Sequence, residues 1–121
     1  LSRGAAHCTF VDKGREPIAV IRENLKKTRL EDRAAVVQAD YSSYLKNCRE
    51  RFDLILLDPP YAEIFLETAL KIISEIDILT NGGIIVCERP FDKALDCAFP
   101  GLVRYRDYRY GKAAVTIFRR G

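Results

Sequence analysis

The sequence contains no apolar segment long enough to cross a lipid bilayer. Its longest uninterrupted apolar runs, such as residues 54–57 and 84–87, fall far short of the roughly 20 residues that a membrane-spanning helix needs. No charged stretch followed by an apolar one opens the chain, so no secretory leader is predicted. With 121 residues, 48% of them hydrophobic, the chain can build one core. We therefore expect a soluble, globular, cytoplasmic protein with a single domain.

Residues that commonly bind metals are few and widely spaced. Histidine occurs once, as His7, so there is no second histidine to complete a metal site or a nucleophile–base pair. The four cysteines show none of the close spacings that hold zinc: Cys8, Cys48, Cys87 and Cys97. We expect reduced, mostly buried thiols, a structural role for His7, and no bound metal.

The net charge of +3 fits many small enzymes, but the charge is unevenly distributed. The C-terminal tail has a single acid, Asp107, among many basic residues and three tyrosines: Arg104, Tyr105, Arg106, Tyr108, Arg109, Tyr110, Lys112, Arg119 and Arg120. This mixture suits phosphate contact and base stacking, although a solvated strand face gives the same pattern. Arg104 and Arg106 alternate along one predicted strand, so we expect them to share a face.

Apolar strands and amphipathic helices alternate along most of the chain. The strands are predicted at residues 6–11, 34–39, 52–57 and 84–87, the helices at residues 16–30 and 62–76, and a short helix or turn at residues 41–47. Because each parallel strand pair needs a crossover, the alternation predicts an α/β fold with a doubly wound, mostly parallel sheet. The strand at 52–57 is apolar at nearly every position, which predicts a central strand with helices on both faces.

Glycines mark two connections in the second half of the sequence. Asn81, Gly82 and Gly83 are predicted to end the connection before the strand at 84–87. Gly111 and Lys112 separate two β-rich segments, residues 102–110 and 113–119. A two-residue separation is typical of a β-hairpin, so the last strand is predicted to be antiparallel to its neighbour.

An aspartate follows each of the first three predicted strands: Asp12, Asp40 and Asp58. In open α/β sheets ligands bind outside the carboxyl ends of the strands, so these acids predict a shared site. Aspartate is also common after strands as a turn former or helix cap. In a Rossmann unit, an acid placed like Asp12 can accept hydrogen bonds from both ribose hydroxyls. The sequence lacks the Gly-x-Gly-x-x-Gly motif of a dehydrogenase, so either a first strand and its loop are missing or the site is built differently.

The most specific motif is Asp58-Pro59-Pro60-Tyr61, directly after the strand at 52–57. The two prolines fix two φ angles and remove two donors, which leaves the carbonyl groups of Asp58 and Pro59 free to accept hydrogen bonds. Acceptors on the N–H groups of an exocyclic amine favour the pyramidal, nucleophilic nitrogen that attacks a methyl sulfonium. Tyr61 adds a ring on which an extruded base can stack.

The motif resembles the fourth motif of the amino-type class I S-adenosylmethionine-dependent methyltransferases, which is Asp/Asn-Pro-Pro-aromatic at the end of a strand. Three further segments are similar to the RsmD-type family of bacterial 16S rRNA guanine-N2 methyltransferases. These segments are Leu1-Ser2-Arg3-Gly4-Ala5, Phe10-Val11-Asp12-Lys13, and Arg109-Tyr110-Gly111-Lys112 with the apolar strand and Arg119 that follow. The resemblance covers essentially the whole chain.

The resemblance implies a function, a cofactor and a set of site residues. The cofactor is S-adenosyl-L-methionine, and the substrate is ribosomal RNA or a ribosomal subunit assembly particle. Asp12 then binds the cofactor ribose, Lys13 lies beside it, and Asp40 and Tyr41 contact the adenine. The target guanine amine is held by Asp58, Pro59, Pro60 and Tyr61, and Glu88 borders the pocket.

The sequence departs from the family at its beginning. The family's first strand and Gly-rich cofactor loop would precede Leu1, so the fold is expected to be N-terminally incomplete. In the family that strand lies between the strands ending at Asp12 and Asp58, and its loss leaves two apolar strand edges facing a gap. We expect a longer natural polypeptide or a homodimer that pairs these edges.

Several alternatives use the same features. The Asp-Pro-Pro-aromatic motif also suits a DNA adenine or a protein glutamine N-methyltransferase, although neither's added target-recognition segment is visible in so short a chain. From a different class, the chain is compatible with a non-catalytic nucleic-acid-binding or assembly module, or with an inactive fragment.

Overall fold

The protein was analysed as a computed structural model, which describes residues 6–57, 63–90 and 99–120. The chain forms two compact units, Leu1–Tyr44 and Leu45–Gly121. Its elements, in order, are β1 (Cys8–Asp12), α1 (Arg15–Thr28), a 3-10 turn (Glu31–Arg33), β2 (Ala34–Gln38), α2 (Tyr41–Asn47), β3 (Phe52–Leu57), α3 (Glu63–Glu75), β4 (Leu79–Pro90), β5 (Leu102–Tyr110) and β6 (Ala113–Arg120). The predicted alternation of strands and helices is confirmed. Among the described helices, none is both long and apolar enough to cross a bilayer.

The first unit is a parallel strand pair with its crossover helix. β1 and β2 pair in register from Cys8 with Ala34 to Asp12 with Gln38, and α1 connects them. Ile18 and Leu25 are the buried residues of α1, seven positions apart and therefore on one helical face. The helix ends at Thr28, and the C-cap residue Arg29 adopts the left-handed conformation with φ 58°.

The second unit is built on a four-stranded sheet in the order β3-β4-β6-β5. β3 is parallel to β4, whereas β6 is antiparallel to both β4 and β5. One face of this sheet supplies buried residues from its two middle strands: Ile85, Cys87, Ala114, Thr116 and Phe118. Helix α3 contributes the other large buried set: Leu66, Ala69, Leu70, Ile72 and Ile73. Together these residues form most of the core of the unit.

β3 is an edge strand, so the prediction of a central strand covered on both faces is wrong for the described chain. β4 is its hydrogen-bonded neighbour, and the other edge of β3 has none among the described residues. On one face of the strand, Leu54 is 50% exposed and Leu56 67% exposed. β1 likewise pairs on one side, with β2. Within the part of the chain that the structure describes, both predicted strand edges therefore have no hydrogen-bonded neighbour.

β4 is longer than predicted because its glycines form an irregularity within the strand. Phe52 pairs with Leu79, but Leu54 pairs with Ile84, so the ladder shifts register between these pairs. Gly82 lies in this region with a φ of 80°, which glycine adopts without steric cost. A Cβ on Gly83 would lie 2.8 Å from Leu79 Cδ1. The glycines thus bend a strand that continues through them, in contrast to the predicted end of a connection.

The C-terminal hairpin is confirmed, but it contains a β-bulge that the sequence does not predict. Gly111 turns the chain with a φ of 57°, and β5 and β6 pair antiparallel. Arg104 pairs with Phe118 and Arg106 with Ile117, so Tyr105 is an extra residue on β5. Because adjacent residues of β6 point to opposite faces, Arg104 and Arg106 also lie on opposite faces. The prediction that they share a face is wrong.

The cysteines in the described residues form no disulfide bonds there; Cys87 is buried, and Cys8 and Cys48 are half-buried. Burial raises the pKa of Cys87 to about 12, so this thiol stays protonated at neutral pH. Cys97 lies outside the described residues. His7 is exposed, directly before β1.

Asp77 joins two arginines at one end of the second unit. It forms ion pairs with Arg51 and with Arg120, whose Nη2 lies 2.8 Å from Asp77 Oδ1. Arg120 Nη1 also donates to the carbonyl of Leu79 at 2.9 Å. The hydrogen bond and charge of Arg51, and then those of Arg120, hold the pKa of Asp77 below its ordinary value.

Replacing Asp77 with Asn should therefore destabilise the protein in a pH-dependent way. A carboxylate with a lowered folded-state pKa stabilises the fold above its unfolded pKa of about 3.9, and this stabilisation is lost as the pH falls through the lower folded value. In urea unfolding, Asp77→Asn should be less stable than wild type at pH 7, with the difference disappearing in acid. Glu75→Gln is the control, because no ion pair of Glu75 occurs among the described residues. Equal pH dependence in both variants would contradict the role of Asp77.

Candidate active site

The ends of β1 and β2 lie side by side in the first unit. Both strands run in the same direction, so Asp12 and Asp40 follow them at the same edge of the sheet. The Ala39 amide donates to the carbonyl of Asp12 at 3.0 Å. Gln38 Nε2 donates to the carbonyl of Lys13 at 3.4 Å. These two hydrogen bonds hold the loop after β1 against the loop after β2.

Asp12 forms a tight turn that leads into α1. Its Oδ1 accepts a hydrogen bond from the Gly14 amide at 2.8 Å. Gly14 is the residue before the helix, and a Cβ there would lie 3.0 Å from Pro17 Cδ and 3.3 Å from Asp12 Oδ1. Asp12 therefore has the turn-forming role that the sequence left open beside ligand binding. Within the described residues its Oδ2 accepts no hydrogen bond, so this oxygen can serve a ligand.

Asp40 lies at the start of α2, where the amide of Tyr44 donates to its carbonyl at 3.0 Å. The Ser42 hydroxyl donates to Asp40 Oδ2. This hydrogen bond holds the pKa of Asp40 below its ordinary value, assisted by the amides of Ser43 and Ser42 and the charge of Lys13. Asp40 is therefore an anion at neutral pH, and the charge of Lys13 makes the smallest of these contributions.

The edge of the first unit thus combines carboxylate acceptors with one cation. Asp12, Lys13 and Asp40 are brought together by the strand pair, and half-buried Tyr41 follows directly. Such a set suits a ligand that has a vicinal diol and an amino group, because both groups donate to carboxylates. No cluster of three or more metal-ligating side chains occurs in residues 6–57, 63–90 and 99–120.

The predicted catalytic residues Asp58, Pro59, Pro60 and Tyr61 lie outside the described part of the chain. The strand that precedes them is described: β3 ends at Leu57, which pairs with Cys87 of β4. Glu88, the residue predicted to border the pocket, is exposed and lies one position beyond this pair.

A polar network around buried Thr116, next to Glu88, was not predicted from the sequence. Thr116 is fully buried, and its Oγ1 donates to Asp107 Oδ1 at 2.6 Å and accepts from Arg89 Nε at 3.2 Å. Arg89 Nη2 and Arg104 Nη1 lie 3.7 and 3.8 Å from the Asp107 carboxylate. Asp107, the lone acid in a basic tail, was the only sequence signal. The network fixes Arg89, whose side chain is 12% exposed, directly after Glu88.

The network predicts that the Thr116 hydroxyl contributes to stability. Thr116→Val keeps the side-chain shape but leaves Arg89 and Asp107 without their shared partner, which should cost roughly 1–3 kcal/mol of unfolding free energy. Chemical denaturation measures this cost. Thr80→Val is the matched control, because the Thr80 hydroxyl donates to Asp53 in an exposed hydrogen bond and should contribute less. Wild-type stability of Thr116→Val would contradict the assignment.

The fold is that of the Rossmann-like methyltransferases. A solved structure of a conserved hypothetical protein from Streptococcus pyogenes superposes with a TM-score of 0.88 at 27% identity, covering 97% of this chain and 73% of that chain. The S-adenosylhomocysteine-bound methyltransferase PaMTH1 of Podospora anserina superposes with a TM-score of 0.79 at 21% identity, covering 95% of this chain and 61% of that one. At that identity the second likeness shows the fold alone.

Sequence comparison then identifies the family. The chain belongs to the family described as "Conserved hypothetical protein 95", which matches residues 1–119. This match, the methyltransferase fold and a relative named as an rRNA methyltransferase together identify the chain as a class I methyltransferase of the RsmD type. It is 36% identical over 123 aligned positions to the "Putative rRNA methyltransferase YlbH" of Bacillus subtilis (strain 168). That alignment covers 99% of this chain and 67% of the Bacillus protein. The resemblance drawn from the sequence motifs is confirmed.

Proposed function

We propose that the protein transfers a methyl group from S-adenosyl-L-methionine to the exocyclic amine of an rRNA base, namely guanine N2 of 16S rRNA. The observation that carries the proposal is Asp58-Pro59-Pro60-Tyr61 directly after β3 in a chain with a methyltransferase fold. The name of the Bacillus relative supports rRNA as the substrate. We propose in addition that the protein acts in the cytoplasm and that its substrate is an assembling ribosomal subunit. We also propose that two copies associate through their open strand edges.

The residues that would hold the cofactor are Asp12, Lys13, Asp40 and Tyr41. Asp12 Oδ2 is the acceptor for the ribose hydroxyls, while Asp12 Oδ1 keeps the turn through the Gly14 amide. Asp40, ionised and next to Tyr41, is the acceptor for the adenine amino group. When bound, the cofactor supplies an electrophilic methyl group on a sulfonium. The acceptors orient the nucleoside, and Lys13 balances their charge.

The loop after β3 would hold the target amine. The side-chain carboxylate of Asp58, together with the backbone carbonyl groups of Asp58 and Pro59, accepts its N–H groups, and the two prolines have no backbone N–H that would compete for these acceptors. This arrangement favours the pyramidal nitrogen with its lone pair available for attack. Tyr61 stacks on the extruded base and holds the ring while the amine reacts. Methyl transfer by this route requires no metal ion.

The ribose contact can be tested without disturbing the turn. In Asp12→Asn the side-chain oxygen can still accept from the Gly14 amide, while an NH2 group replaces the acceptor Oδ2. Because hydrogen bonds to charged groups contribute roughly 1.5–3 kcal/mol, cofactor affinity should fall about 10- to 100-fold. Calorimetry with S-adenosylhomocysteine measures it. Asp32→Asn, the same charge change on the exposed 3-10 turn, should bind normally. Unchanged affinity of Asp12→Asn would count against the ribose contact.

Two substitutions separate methyl transfer from RNA binding in the catalytic loop. Asp58→Ala should lower the rate about 10²- to 10³-fold by loss of a positioned electrostatic partner, with RNA affinity little changed. Tyr61→Ala should weaken the hold on the extruded base and so impair both apparent RNA affinity and rate. Labelled methyl incorporation into rRNA at saturating cofactor measures both.

If Asp58→Ala incorporates methyl groups at the wild-type rate, the proposed catalytic role of the loop is wrong. No incorporation by the unmodified protein, with free rRNA and with ribosomal particles, would favour a non-catalytic binding or assembly module.

A further inference from the structure

Five residues of the C-terminal hairpin form an exposed surface outside the proposed cofactor and catalytic residues. Arg106, Tyr108 and Tyr110 pair with Ile117, Val115 and Ala113, which places them on the face opposite to buried Thr116 and Phe118. Arg119 lies on this face two positions from Ile117, and the ring of the bulged Tyr105 contacts its guanidinium. We call Tyr105, Arg106, Tyr108, Tyr110 and Arg119 the aromatic–arginine surface. Its tyrosines are 46%, 37% and 64% exposed in chain order.

Aromatic contacts order the two arginines of this surface. Tyr105 lies between two guanidinium groups, with Arg106 Cζ 5.2 Å and Arg119 Cζ 4.7 Å from its ring centroid. Arg106 Nη1 also donates to the Tyr108 hydroxyl at 3.1 Å. The rings of Tyr108 and Tyr110 are 6.4 Å apart and inclined by 27°. The β-bulge makes this arrangement possible, because it adds Tyr105 beside Arg106.

The positive charge of the surface is not neutralised by acids of the described chain. Residues 6–57, 63–90 and 99–120 form no ion pair to Arg106 or Arg119. Asp107, the acid on β5, lies on the opposite face with Thr116 and Arg104. The hairpin therefore separates its charges: on one face Asp107 is ion-paired with arginines, and on the other two cations lie among exposed rings.

We propose that the aromatic–arginine surface binds a single-stranded segment of the RNA substrate, an inference that rests on the proposed function. Planar guanidinium groups match phosphate oxygens, and exposed tyrosine rings stack on unpaired bases. Single strands fit better than duplex, because stacking on side chains needs bases that are not already paired. The positive charge of the surface favours RNA, a polyanion, as its ligand. The surface thus holds RNA through residues other than those of the catalytic loop and contributes to substrate affinity.

Binding of a labelled, unstructured RNA oligonucleotide, measured by fluorescence anisotropy across a salt series, tests the proposal. Arg106→Ala and Arg119→Ala should each weaken binding and lower the slope of log affinity against log salt by about 0.7, the value for one phosphate contact on single strands. Tyr108→Ala should weaken binding roughly 5- to 100-fold through lost stacking. Tyr108→Phe keeps the ring and should retain most of the affinity.

Arg104→Ala is the matched control, because it removes the same charge two residues away on the opposite face. Its salt slope should equal that of wild type. Unchanged affinity and slope in Arg106→Ala and Arg119→Ala would overturn the proposal, as would an equal effect of Arg104→Ala. Altered self-association of these variants in ultracentrifugation, with RNA binding intact, would instead make the surface a protein interface and also overturn it.

Methyl incorporation into rRNA, measured in parallel, keeps the two proposals apart. Wild-type activity with normal RNA binding by the surface variants would refute the surface and leave the methyltransferase function standing. RNA binding that depends on the surface, without any methyl transfer by the wild-type protein, would refute the function and leave the surface standing as an RNA contact. Variants that retain the wild-type circular dichroism spectrum exclude misfolding as the cause of a loss.

Discussion

The parallel hydrogen-bond ladder between β1 and β2 is the constraint on which the candidate cofactor site depends. Parallel strands end at the same edge, so residues that follow them in sequence become neighbours in space. The ladder extends to the pair of Asp12 with Gln38, and the Ala39 amide continues it to the Asp12 carbonyl. Asp40 is thereby brought within electrostatic reach of Lys13. A slip of one residue in this register would separate the acids that the proposal assigns to one nucleoside.

The antiparallel strands β5 and β6 of the second unit have a different effect: they place neighbouring side chains of β5 on opposite faces of the sheet. The bulge at Tyr105 reverses the order of faces along β5. It directs Arg104 and Asp107 toward buried Thr116, and Arg106 toward the exposed tyrosines. One irregular residue thus gives a polar network that stabilises the hairpin and, on the other face, the surface proposed to hold RNA.

Features encoded by local pattern could be predicted from the sequence. The bounds of α2 and β3 agree with prediction, because β3 is bounded by polar and proline residues and α2 by short connections. Bulges could not be predicted: Gly82 and Gly83 read as a turn but lie within β4, and the alternation of Arg104 and Arg106 gives no sign of the extra residue. Bulges depend on cross-strand pairing, which involves residues distant in sequence.

The exposure of Leu54 and Leu56 could not be predicted from the local sequence pattern either. An apolar run indicates a strand that can be buried, but burial itself depends on which elements lie against each face. For the candidate site, the sequence predicted the acids at the strand ends. It did not predict that one carboxylate oxygen of Asp12 accepts the Gly14 amide in a turn while the other accepts no hydrogen bond within the described residues. That arrangement depends on the position of Gly14.

The most direct test of the central claim is the identity of the methylated atom. The protein is incubated with methyl-labelled S-adenosylmethionine and unmodified ribosomal RNA or subunit particles, and the RNA is digested to nucleosides for mass spectrometry. The proposed function predicts that the label is recovered in N2-methylguanosine. Label recovered in another nucleoside or in ribosomal protein, or no label at all, would contradict it.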